Sequence, residues 1–172
     1  MKETKEKGTV WLCITAMFKA LNIVFSSFGI PVPGGSLYLN DIIICTAAII
    51  LDPTAAFIVG GIGAFIGDFL FYPAPMFVSL VTHGLQAVVI SYAAHYTFKK
   101  HPLFAAILGV SLGAIIMVTG YSLGRAYIYG TPEYAILKLP YQILQATVGA
   151  ATSIHLCWKI ALPKIFQQIL KN

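Results

Sequence analysis

The feature that most narrows what this chain can fold into is a succession of long apolar segments, each ended by a short cluster of proline, glycine or charged residues. About 20 apolar residues suffice to cross the hydrocarbon core of a bilayer as a helix, and in that medium only helices and closed barrels satisfy their own backbone polar groups. The segments lie at about residues 9–28, 39–51, 54–71, 76–97, 103–128 and 139–160. They predict an all-α integral membrane protein, a bundle of six transmembrane helices in a single membrane domain over residues 1–172. Residues 39–51 are too few to cross unaided, and Pro31, Pro33, Gly34 and Gly35 predict a loop after the first span. Charged residues make up only 10% of the chain, against roughly 25% in soluble domains. Six spans use roughly 120 residues, which leaves no second, soluble domain within this sequence. A nucleotide-hydrolysing module would therefore belong to another chain, and no P-loop pattern is present.

Lys2, Lys5 and Lys7 ahead of an apolar run resemble the start of a signal peptide, but the run extends to Phe28 without a small-x-small cleavage site and is read as the first span. The net charge of +5 is spread singly or in pairs, not in the stripe that nucleic-acid binding requires. It reports topology instead, because cytoplasmic loops hold an excess of Lys and Arg. Lys2, Lys5, Lys7, Lys99, Lys100, Lys159, Lys164 and Lys171 fall on one side, so both termini are predicted cytoplasmic, with residues 31–38, 72–75 and 130–138 outside. A short amphipathic tail closes the chain. Cys13, Cys45 and Cys157 lack metal or disulfide spacing, and His83, His95, His101 and His155 lie on different segments, so no metal and no cofactor is expected. No nucleophile motif is found.

On that topology the costly polar side chains gather at the outer depth. Asp68 ends the third segment; His83 and Gln86 lie in the fourth, Tyr121 and Arg125 in the fifth, Gln142 and Gln145 in the sixth, and Asn40 and Asp41 open the second, beside Tyr38. Gln142 and Gln145, three apart, share one helix face. Bland readings stand beside this one: Asp68 and Arg125 pair with each other, and Asn40 caps the second helix. Hydrogen-bonding groups from four helices, among many aromatic rings, suit a small, planar, mostly uncharged molecule. Gly63 and Gly67, Gly109 and Gly113, and Gly120 and Gly124 are read as packing marks between helices.

Residues 35–41 (GSLYLND), Asp52 with Pro53, residues 60–68 (GGIGAFIGD) and residues 120–124 (GYSLG) resemble the substrate-binding S components of energy-coupling factor (ECF) vitamin transporters, over nearly the whole chain. The resemblance implies capture of a vitamin or precursor from outside a bacterial cell membrane, and ATP-driven uptake through a transmembrane scaffold, the T component, with two cytoplasmic ATPases. It implies docking on the scaffold through an A-x-x-x-A motif, here Ala16 and Ala20 with Lys19 between them. It also implies a substrate site in the first outer loop and the outer halves of the last three helices. The substrate-binding residues are then Tyr38, Asn40, Asp68, His83, Gln86, Tyr121, Arg125, Gln142 and Gln145. Among S components the chain is most similar to the hydroxymethylpyrimidine branch, with pyridoxine-type carriers next. The rival class, a self-sufficient carrier or intramembrane enzyme, predicts activity from this chain alone.

Overall fold

The computed structural model describes residues 2–162. The expected amphipathic tail, with Lys164 and Lys171, lies outside the described residues. Helix α1 (Lys2–Ser26) leads into an antiparallel hairpin of β1 (Gly29–Val32) and β2 (Gly35–Tyr38), followed by the short helix α2 (Asn40–Ile50). Helix α3 (Pro53–Phe71) carries a π turn at Ile58–Ile62. Helix α4 spans Met76–Tyr96, α5 spans Pro102–Tyr129 and ends in a π turn at Arg125–Tyr129, and α6 spans Pro132–Lys159.

Among the described residues, four helical stretches are long and apolar enough to cross a membrane: Gly8–Ser26, Pro53–Phe71, Met76–Tyr96 and Pro102–Tyr129. The shorter α2 is wrapped by its neighbours, with Ile44, Ala47 and Ala48 fully buried. Its Ile44, Cys45 and Ala48 pack with Ile90 of α4, Ala106 and Val110 of α5 and Cys157 of α6. Its Ala47 packs on the other side with Ile14 and Phe18 of α1 and Val59 of α3. The outside of the bundle is the reverse of a soluble surface. Phe69, Phe77, Leu85, Ile115, Leu123, Ile136 and Leu144 are all exposed, an apolar belt of the kind that a bilayer covers.

Local chemistry sets the breaks. Asp52 caps α3, accepting from the Thr54 and Ala55 amides at 3.0 and 3.3 Å, and Pro53 occupies the first turn, where its missing N–H costs nothing. Trp11 Nε1 donates to the same carboxylate at 2.5 Å and ties α1 to this corner. The glycine pairs all meet helices of the same chain: Gly63 and Gly67 face Asn22 and Ser26 of α1, while Gly109, Gly113, Gly120 and Gly124 face α4.

Two expectations from the sequence are corrected here. The segment after the first span is a hairpin rather than a loop: Pro31 pairs with Ser36 and Val32 with Gly35, and Gly34 turns the chain at φ +80°. Prolines tolerated at a two-stranded edge allow this pairing. Residues 132–138 are helix rather than outer loop. Thr131 caps α6 by accepting from the Tyr134 amide, Pro132 sits in the first turn, and the helix runs on through Pro140.

Candidate functional site

At the hairpin end of the bundle lies a cavity of about 260 Å³, walled by the hairpin and by residues from every helix. Eight of the nine predicted site residues line it: Tyr38, Asn40, Asp68, His83, Tyr121, Arg125, Gln142 and Gln145. Gln86 does not. It lies behind His83, where its Oε1 is 2.7 Å from His83 Nδ1 and its Nε2 donates to Asp41 at 3.0 Å.

Asp41, in the first turn of α2, is the hub beneath the cavity. One carboxylate oxygen accepts from Gln86, the other from Gln145 Nε2 at 2.6 Å, and His83 Nδ1 lies 3.9 Å away. Helix α6 approaches closely here because Gly149 carries no side chain: a Cβ there would lie 2.6 Å from that of Asp41. Gln145 Oε1 accepts from the Tyr38 amide at 3.0 Å, so one side chain links the hairpin, α2 and α6. Burial, partly offset by a hydrogen bond with Ser36, pushes the Tyr38 phenol up.

Gln142 is engaged with α5: its Nε2 donates to Val118 O at 2.8 Å and its Oε1 accepts from Arg125 Nη1 at 3.4 Å. The expected Asp68–Arg125 pair is not formed. Asp68 accepts from Ser79 of α4, whose hydroxyl also meets Tyr121, while Arg125 lies over the Tyr129 ring at 5.6 Å. Ser79 is the shorter reach from the end of α3, and the π turn carries Arg125 toward Tyr129. The rings of His83 and Tyr121 meet edge-on, 5.1 Å apart. Asn40 is not a helix cap. Leu39 holds that position, and the Asn40 side chain turns inward to donate to Ser26 Oγ at 3.5 Å, leaving its Oδ1 buried without a partner among the described residues.

Sequence reasoning left Lys138, Ser36 and Tyr134 out of this wall. The signal for Lys138 was present: Lys138, Gln142, Gln145 and Gly149 follow the three-to-four spacing of one helix face. Its ammonium donates to Ser36 O, and Gly34 packs on the Lys138 backbone, where a Cβ would come within 3.0 Å. His155 is exposed on the far part of α6, away from the cavity. Ala16 and Ala20 are exposed on α1, and Lys19 is half-buried between them. Among the described residues no three His, Cys, Asp or Glu side chains come together as a metal site would need. The cavity's chemistry is directional hydrogen bonding between aromatic walls, suited to holding a polar ring rather than transforming it.

Comparison with known proteins bears on that chemistry. The family described as "ECF-type riboflavin transporter, S component" matches residues 8–162. An uncharacterised protein of Pyrococcus woesei is 32% identical over 122 residues, covering 70% of this chain and 80% of that one. The family match gives no support to the hydroxymethylpyrimidine branch in particular. A match over nearly the whole chain, with apolar helices able to span a membrane, makes this a membrane transporter component and not an enzyme: the chain belongs to the S component family of ECF-type riboflavin transporters.

Proposed function

We propose that this chain captures a flavin from outside the cell and delivers it to a scaffold T component driven by two cytoplasmic ATPases. The observation that carries the reading is the gathering of Asn40, His83, Tyr121, Arg125 and Gln145 around one cavity, in a chain of the riboflavin S component family. The cavity of about 260 Å³ lies just below the roughly 300–1,000 Å³ of pockets enclosing drug-sized ligands, so the preference for a flavin over a single pyrimidine rests on the family match. In this reading α2 and α6 cross the membrane with the four longer apolar helices, both termini are cytoplasmic, and the hairpin covers the site from outside. Docking runs along the exposed stripe of α1, where Ala16 and Ala20 lie beside Leu12, Met17, Leu21 and Val24.

Titration of the purified chain in detergent with riboflavin, hydroxymethylpyrimidine and pyridoxine tests the ligand. Saturable binding of the flavin alone supports the reading, and binding of hydroxymethylpyrimidine without the flavin overturns it in favour of the smaller precursor.

A further inference from the structure

Two cations share the wall of the cavity, and among the described residues neither forms an ion pair with a carboxylate. Lys138 is 2% exposed, and among the described residues its ammonium, with several N–H groups to donate, has only the Ser36 backbone carbonyl as acceptor. Arg125 has a long hydrogen bond to the Gln142 amide and lies against Tyr129, both neutral partners. The nearby carboxylates are engaged elsewhere. Asp41 holds Gln86 and Gln145, and Asp68, which lines the same cavity, is held from the α4 side by Ser79. A buried cation left with neutral acceptors alone is costly, and an anion relieves that cost where a carbonyl only fills a hydrogen-bonding position.

The arrangement has a direction. Donors and acceptors suited to a ring edge, His83, Tyr121 and the unpartnered Oδ1 of Asn40, come from α2, α4 and α5. The cations come from the end of α5 and the start of α6, beside the hairpin. A guanidinium fork and an ammonium at one corner match the oxygens of a phosphate monoester, the fork through paired hydrogen bonds and the ammonium as a point charge.

We infer that the ligand carries a phosphate monoester held between Lys138 and Arg125, with its ring on the Asp68, His83 and Tyr121 side. The inference rests on the flavin reading and narrows it to the phosphorylated vitamin. On binding, Lys138 exchanges the Ser36 carbonyl for a phosphate oxygen, so no cation of the corner is left with neutral acceptors alone.

Calorimetry on the full chain, purified free of ligand in detergent, compares riboflavin with riboflavin 5′-phosphate. The expected result is a preference for the ester of about tenfold or more, decreasing with salt. Lys138→Met and Arg125→Gln should each remove most of that preference, read as the ratio of the two affinities in the same variant, and Lys138→Arg should keep it. If Lys138→Met does not fold, because Lys138 packs on the hairpin turn, Arg125→Gln reads the same ratio. A wild-type chain without that preference overturns the inference, as does a preference unchanged in the variants. Inorganic phosphate that tightens riboflavin binding assigns the corner to a free anion and also overturns it. Binding of neither flavin overturns the flavin reading itself, whereas binding of riboflavin without preference for its ester overturns this inference alone.

Discussion

Replacing Gln145 by alanine separates two things that this side chain does. Its Oε1 holds the Tyr38 amide at the foot of the hairpin, a neutral hydrogen bond worth about 0.5–1.5 kcal/mol net. Its Nε2 donates to the buried Asp41, an interaction with a charged group worth about 1.5–3 kcal/mol. The Asp41 bond stabilises the bundle whether or not ligand is present, so its loss appears in the melting temperature. With both bonds gone, about 2–4.5 kcal/mol is lost, which at about 2–4 °C per kcal/mol for a chain of this size lowers Tm by roughly 4–18 °C. The Tyr38 bond holds the hairpin closed, so its loss reduces the population competent to retain ligand. Converted at about 1.4 kcal/mol per decade, that weakens affinity roughly 2- to 13-fold. Thermal unfolding and calorimetry in the same detergent read the two effects side by side. Gln145→Glu sharpens the distinction, because it keeps the acceptor for Tyr38 and sets a second carboxylate against Asp41; it should cost more stability than alanine. Exposed His155→Ala should change neither quantity. A Gln145→Ala chain that melts and binds like the wild type, or an equal loss in His155→Ala, would refute this assignment.

Bulky replacement of Ala16 or Ala20 should lower ATP-dependent uptake in cells that hold the partner subunits while leaving equilibrium binding to the purified chain intact, since both residues are exposed on α1. Gly34→Val should loosen the hairpin and weaken binding: it places a β-branched residue at φ +80° and drives its Cβ to 3.0 Å from the Lys138 backbone, with the left-handed conformation alone costing about 1–2 kcal/mol. Stopped-flow dissociation should show the change as a faster off-rate. A cysteine placed at Lys99 should react with impermeant thiol reagents only after the membrane is opened, and reaction in intact cells would invert the proposed topology.

The polar layer was legible because a hydrogen-bonding side chain inside an apolar helix is expensive and stands out. Asn40, Asp68, His83, Tyr121, Arg125, Gln142 and Gln145 were picked on that ground and line one cavity. What the sequence did not reveal was which group each one touches. Gln86 is three residues from His83 and shares its face, yet lies one layer behind it, a difference in depth that spacing does not encode. Asp68 and Arg125 matched by charge, but the nearer hydroxyl of Ser79 took the carboxylate. Lys138 falls in the outer loop expected over residues 130–138, whereas the helix opens at Pro132 and runs on through Pro140. The hairpin was missed because Pro31 and Pro33 argue against a central strand and say little about a two-stranded edge.

The most direct measurement is a fluorescence titration of flavin with the purified chain alone, paired with flavin accumulation by proteoliposomes containing the same chain. The expected result is saturable binding with Kd below about 1 μM, near −8.2 kcal/mol or tighter, and no accumulation unless T component and ATPases are added with ATP. Absence of flavin binding, or concentrative uptake by the chain on its own, would contradict a capture subunit that depends on partners for transport.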